Sequence, residues 1–353
     1  MTFNRSITRR MAVLGGIAAA TLVAAPVNAQ DVGSVYKGQT LTILLGHPPG
    51  GSYDLYAQLA AGFLGKYIPG NPNVIVQHMP GGGGRKGAAH FVANVAPDGL
   101  TIALLPDTLA HIQLLDPKRG KWDASKFNYI GRFAPANAAF AVRKDAPATT
   151  IEGMKEKEII VSCTGKSARS AQMPALLKNV AGLKLRLICG YKGSKAATLA
   201  TLRGEVDMTS KNWASFKSGD AAALASGDLK IVLQAGLERD PDLPDVPLLQ
   251  EIVDDADAKA VLSFVGSGAP IGRSLMVAPG TSPEILAALR AAFDKMIADP
   301  EFLAEAEKRK AIINPAKGAD IDKVNLEIMT ATPELIAAAV KAMDTTGAGE
   351  LQN

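Results

Sequence analysis

Cysteine is nearly absent from this 353-residue chain, and two residues, Cys163 and Cys189, cannot build a disulfide framework or a four-cysteine zinc site. Aromatic side chains are scarce at 5%. The four histidines (His47, His78, His90 and His111) are too widely spaced to form an H-x-x-x-H ligand pair. There is no Gly-x-Ser-x-Gly elbow, and neither cysteine sits in a recognisable nucleophile setting. No catalytic residue, metal or cofactor is therefore assigned. The glycines follow no collagen period, and a hydrophobic content of 47% is too high for a disordered chain.

A long apolar run is lacking as well. The first 29 residues carry Arg5, Arg9 and Arg10 and no acid, then an apolar stretch of 15 residues from Met11 to Ala25, then Pro26-Val27-Asn28-Ala29. A charged start, a short apolar middle and a small-residue end make residues 1–29 a signal peptide; a membrane span needs about 20 apolar residues. The pair Arg9-Arg10 leaves the general and twin-arginine routes both open. Removing the three arginines leaves 35 basic against 34 acidic residues, so the formal charge of +4 belongs mostly to the leader. The mature chain is expected to be soluble, exported and without nucleic-acid partners.

What the sequence does contain is an alternation of short apolar runs, turns and amphipathic stretches, the pattern of an α/β protein with a mostly parallel sheet. Strands are expected at Thr40–Leu45, Asn73–His78 and Leu100–Leu105, with helices at Ser52–Tyr67 and Arg85–Val95 between them. The rhythm restarts after Pro135, with strands at Glu158–Ser162, Leu185–Ile188 and Leu229–Leu233 and helices at 170–181, 194–203 and 216–226. A third section adds a strand at Ser274–Val277 and helices at Ser282–Ala298 and Ile321–Ala342. Two such units imply two lobes with a cleft, and ligands bind such sheets beyond the carboxyl ends of the strands.

The turns after these strands carry the candidate chemistry. In His47-Pro48-Pro49-Gly50-Gly51-Ser52-Tyr53-Asp54 the glycines open backbone N–H groups to a ligand at a helix N-terminus, with Ser52 as cap and Asp54 as first-turn acid. Gly82-Gly83-Gly84-Arg85-Lys86-Gly87 spells G-x-G-x-x-G, with Asp107 twenty residues further on, but an exported protein seldom meets a soluble dinucleotide. In Thr164-Gly165-Lys166-Ser167-Ala168-Arg169 the P-loop pattern fails because Ile160 stands where its first glycine belongs. What remains there is a hydroxyl-rich turn with two cations. Cys163 and Cys189 end two strands that could be neighbours, and free buried thiols are preferred over a disulfide between parallel strands.

Taken in order, the motifs Pro48–Asp54, Pro80–Gly84, Ala96-Pro97-Asp98-Gly99-Leu100-Thr101, Tyr191-Lys192-Gly193-Ser194, Gly204–Asp207, Leu243–Pro247 and Ala278–Pro283 cover nearly the whole mature chain. The series resembles the periplasmic solute-binding proteins of tripartite tricarboxylate transporters, the TctC or Bug family. The resemblance implies a Venus flytrap with lobe one at 30–133 plus 265–353 and lobe two at 134–264. It implies a small organic anion as ligand, membrane transporter subunits as partners, and a monomer. Di- or tricarboxylates or aromatic acids are favoured, with Lys166 or Arg169 gripping a second acidic group. Carried over, the ligand residues are Pro49, Gly50, Gly51, Ser52 and Asp54 on one side, Thr164, Gly165, Lys166, Ser167 and Arg169 facing them, and Asp107 and Thr108 lining the cleft. Tyr191 and Asn212 complete the set. An exported enzyme with His47 near Asp54 as base, or a receptor for a membrane sensor kinase, is the alternative.

Overall fold

The computed structural model describes Met1 and residues 32–166 and 168–351; the expected signal peptide and Ser167 lie outside the described residues. In chain order the strands are β1 (Thr40–Leu45), β2 (Asn73–His78), β3 (Thr101–Leu104), β4 (Asn128–Arg132), β5 (Ala138–Arg143) and β6 (Ile159–Cys163). They continue as β7 (Leu185–Cys189), β8 (Met208–Asn212), β9 (Leu229–Ala235), β10 (Ser274–Val277), β11 (Ala316–Lys317) and β12 (Gly349–Glu350). Two six-stranded sheets result, ordered β11-β4-β10-β3-β1-β2 and β12-β7-β6-β8-β5-β9. Helices cover both, so a run such as Thr40–Leu45 is apolar almost throughout: Leu41, Ile43 and Leu45 enter one core and Leu44 the other.

The α/β class holds, while each sheet is mixed. β1 runs parallel to β2 and β3, and β6 parallel to β7 and β8. By contrast β10 is antiparallel to β3 and β4, and β5 is antiparallel to β8 and β9. Strand–helix–strand units force parallel neighbours through their crossover. β4, β5, β9 and β10 instead carry the chain between the sheets and are free of that constraint. β4, β5 and β8, and the helices Leu109–Leu115 and Ala256–Gly266, had no counterpart in the sequence pattern. The long helix expected at Ile321–Ala342 is two, Gly318–Met329 and Pro333–Ala342, because Thr332 caps a new start with Pro333 in its first turn.

Cys163 and Cys189 are joined in a disulfide, which corrects the expectation of free thiols. They are opposite each other in the parallel register of β6 and β7, an adjacency that 26 residues of separation conceal.

The sheets are linked where two segments of the chain run side by side. Phe133 N donates to Arg273 O and Arg273 N to Ala134 O, both at 2.9 Å, and Ala136 N donates to Ala269 O at 2.9 Å. Gly272 makes this approach feasible: its φ is +56° and a Cβ there would lie 2.1 Å from Ala134 O. Under the crossing, Phe133 packs against Tyr56, Phe293 and Phe302. The last strand, β12, pairs with β7 in the second sheet, a placement that a first lobe containing all of 265–353 does not include.

Candidate functional site

Three turns converge at the carboxyl ends of β1, β2 and β3, and glycine is what lets them meet. A Cβ on Gly46 would lie 3.0 Å from Gly84 Cα, and one on Gly84, at φ +92°, would lie 2.5 Å from Pro106 Cγ. Gly84 and Gly87 of the G-x-G-x-x-G string are thus consumed in packing one turn against the next.

The turn after β1 exposes Pro49, Gly50 and Gly51. Gly50 adopts φ +86° and its N–H donates to Asp54 Oδ2 at 2.8 Å. Asp54 also meets His78 Nε2 at 2.8 Å and accepts from Gln58. Partial burial opposes its charge, yet the Gly50 amide, His78 and Gln58 together hold its pKa below the ordinary value. Asp54 therefore braces the turn, and the expected pairing with His47 does not form. His47 instead stacks face to face on Tyr53, centroids 4.0 Å apart. The helix Ser52–Phe63 starts from Gly51 with no side-chain cap, which leaves its first-turn N–H groups to other partners.

Around that helix start lies a buried polar cluster. Arg273, 4% exposed, enters from the crossing between sheets. Its Nε and Nη2 donate to Ser52 Oγ at 3.3 and 3.2 Å, and its Cζ sits 3.8 Å above the Tyr53 ring. Tyr53 Oη donates to Asp107 Oδ1 at 3.2 Å, and Asp107 Oδ2 accepts from Arg169 Nη1 at 3.2 Å. Arg169 begins the helix Arg169–Ala181 that follows β6, so the Asp107–Arg169 ion pair joins a turn of the first sheet to a helix of the second. His111 closes the cluster, its Nε2–H donating to Phe264 O at 2.8 Å.

Burial lowers His47 to about 4, helped by Arg273, and lowers His111 to about 4 against the Phe264 carbonyl. Both imidazoles are neutral at pH 7. Burial also raises the Tyr53 phenol, which stays protonated. Arg273 Nη1, Arg169 Nη2 and the Nδ1 atoms of His47 and His111 are buried with no hydrogen-bond partner among the described residues. The two guanidinium N–H groups are unpartnered donors that a ligand acceptor satisfies, whereas His111 Nδ1, with the proton on Nε2, is an acceptor.

Ser52, Asp107 and Arg169 of the expected set are brought together. Thr108, half-buried, caps the helix Leu109–Leu115 beside them through its backbone. Thr164 is engaged with Ser170, whose Oγ lies 3.0 Å from both its N and its Oγ1, while Gly165 accepts from Ala168 N. Lys166 turns outward to Glu350 of β12, at 3.1 Å and with both side chains about half or more exposed. Tyr191 is buried against Ala197, Ala200 and Val206. Asn212 caps a helix through Ala214 N and donates to Asn137 O, so both ends of its amide are occupied. The reading from sequence missed Tyr53, His111 and Arg273; a lone cation opening the apolar strand Ser274–Val277 was the available signal for the last. Among the described residues no group of histidines, cysteines and acids could hold a metal ion.

Two mixed sheets joined by paired crossing segments, with a polar cluster that both contribute to, define a two-lobed α/β solute-binding fold. Solved structures share it: a TctC solute-binding protein from Polaromonas is 24% identical, with a TM-score of 0.63 over 87% of this chain and 99% of that one. The periplasmic binding protein BugD is 21% identical, at 0.64 over 90% and 100%. MatC from Rhodopseudomonas palustris, solved with bound malate, is 22% identical, at 0.61 over 86% and 99%. Among curated proteins, BugT of Bordetella pertussis is 26% identical over 301 residues, 80% of this chain and 83% of that protein. The sequence pattern of the tripartite tricarboxylate transporter family receptors, TctC, matches residues 60–325. The chain belongs to that family.

Proposed function

We propose that this chain is an exported receptor that captures a small organic carboxylate between two lobes and delivers it to the membrane subunits of a tripartite transporter. The observation that carries the reading is the buried cluster of Ser52, Tyr53, Asp107, Arg169 and Arg273, built from both sheets and holding two guanidinium N–H groups without acceptors. Lobe one takes residues 30–133 and most of 265–353, lobe two residues 134–264, and the paired segments near Phe133 and Arg273 are the hinge. A ligand that touches both lobes stabilises the closed form, and one that touches a single lobe does not. Residues 1–29 serve as the signal peptide that places the receptor in the periplasm.

The relatives support this reading: MatC was solved with malate, and a second R. palustris protein with adipate. No residue of the cluster acts chemically on the ligand. The base required by an enzyme would be His47, yet Asp54, its expected orienting partner, is taken by Gly50 and His78. A thermal-shift screen of the purified protein against mono-, di- and tricarboxylates, aromatic acids and amino acids tests the proposal. At a hundredfold excess over Kd, a true ligand adds about 2.7 kcal/mol, a rise of a few degrees, and is recovered unchanged. No response to any carboxylate, or recovery of a product, refutes it.

A further inference from the structure

The cluster does not balance its own charge. It contains two guanidinium groups, of Arg169 and Arg273, and one carboxylate, of Asp107; the histidines beside them are neutral. Asp107 is hydrogen-bonded to Arg169 and Tyr53, and among the described residues Arg273 makes no ion pair. Of the other acids nearby, Asp54 is turned onto Gly50 and His78, and Asp240, whose charge reaches Tyr56 as that of Arg273 does, accepts from Asp242 N and forms no ion pair with Arg273. Lys166, the second cation expected to grip a ligand, is paired with Glu350. One buried positive charge is left over, on a side chain 4% exposed. A buried charge without a counter-charge is unfavourable, and an ordinary structural arginine avoids that cost by pairing.

Geometry says where the counter-charge belongs. Nε and Nη2 of Arg273 are held by Ser52 Oγ, the tyrosine ring covers one face of the guanidinium, and Nη1 is left as the free donor. Ser52 is the first residue of a helix whose opening amides have no side-chain cap, so the arginine is held against that helix start through Ser52. A carboxylate seated on Nη1 accepts from a guanidinium already fixed by Ser52 and Tyr53.

We infer that Arg273 is the anchor for the ligand carboxylate and that the site selects ligands carrying a single carboxylate. The inference rests on the carboxylate-receptor reading above. A second carboxylate directed at Arg169, whose side chain is 32% exposed, would have to displace Asp107 or sit beside its buried negative charge. Asp107 is thus the residue that discriminates against diacids. Lys166 is paired with Glu350 and Arg169 with Asp107, so neither brings an unbalanced charge to a second acidic group, and Arg169 keeps only the Nη2 donor free.

The test is calorimetric titration of the purified protein with matched acids: butyrate and succinate, hexanoate and adipate, benzoate and phthalate. The monocarboxylate of at least one pair should bind at least tenfold tighter than its diacid. Arg273→Gln should weaken that monocarboxylate by about 10- to 100-fold, the range for charge-assisted hydrogen bonds, and Arg273→Lys should restore part of the loss. Asp107→Asn should shift the mono-to-diacid ratio by about tenfold or more toward the diacid by releasing Arg169. A brace at the crossing without a ligand role would lower the melting temperature of the Arg273 variants and leave binding ratios unmoved. Tight binding of a diacid over its partner by wild type, or a folded Arg273→Gln protein with wild-type affinity, overturns the inference and leaves the receptor reading standing. Wild-type protein that binds no carboxylate in the wider screen overturns both. If Arg273→Gln does not fold, the wild-type ratios and Asp107→Asn still decide.

Discussion

Burial fixes the protonation of His111, and through it a part of the protein's pH response. In the folded state its pKa is about 4, against an ordinary value near 6.5. Above pH 6.5 the imidazole is neutral whether the chain is folded or not, and it contributes no pH dependence. Below that, the unfolded chain takes up a proton that the folded one refuses, so stability falls as the pH drops toward 4. For His111 alone the loss between pH 6.5 and 5 is about 1–2 kcal/mol, and His47 adds to it in the same direction. Urea unfolding at a series of pH values should show this decline, and His111→Gln should reduce its slope. A slope unchanged in the variant would place the proton uptake elsewhere. The same residue scale explains why the site was only half legible: Ser52 and Arg169 announce themselves by motif, while Arg273 is drawn in from 221 residues away.

At the scale of elements, the second-sheet side of the site depends on how β6 and β7 end. Both strands lead into turns, beginning at Thr164 and at Gly190, and the disulfide ties the two exits together. Gly190 N and Tyr191 N also donate to Cys163 O, at 3.0 and 3.3 Å. Cross-linking across 26 residues stabilises by about 3–4 kcal/mol through the entropy of the unfolded loop. The double substitution Cys163→Ser, Cys189→Ser should lower the unfolding free energy by that order, and a reducing agent should do the same to wild type. Equal denaturant midpoints with and without reductant would show that the bond adds no stability. Most elements were legible from short apolar runs ending in Gly or Pro. β4, β5 and β8 were not, because Asn128–Arg132 and Met208–Asn212 carry polar residues and Ala138–Arg143 is alanine-rich, and only pairing with neighbours makes them strands.

For the whole molecule, the crossing between sheets is a point of little tolerance. Segments 133–137 and 269–273 share backbone hydrogen bonds there, and Gly272 occupies a positive φ with a backbone oxygen where a Cβ would go. Gly272→Ala should cost about 2–4 kcal/mol, since strained backbone and a displaced neighbouring segment add together. It should also weaken ligand binding, because Arg273 is the next residue along. A variant with unchanged melting temperature would show that the segments separate at little cost. Closure about this crossing is what would let one ligand engage donors from both sheets.

The sequence alone determined the alternation of strands and helices, the glycine turns at strand ends and the family, because each is a matter of local pattern or ordered motifs. The tertiary structure decided which charges stay free. Lys166 and Arg169 look like open cations in the chain, yet folding supplies Glu350 to one and Asp107 to the other. Arg273 looks like an incidental residue before a strand, yet folding buries it at a helix N-terminus without an anionic partner among the described residues. Electrostatic balance is summed over neighbours in space, and neighbours that lie tens to hundreds of residues apart leave no local pattern to read.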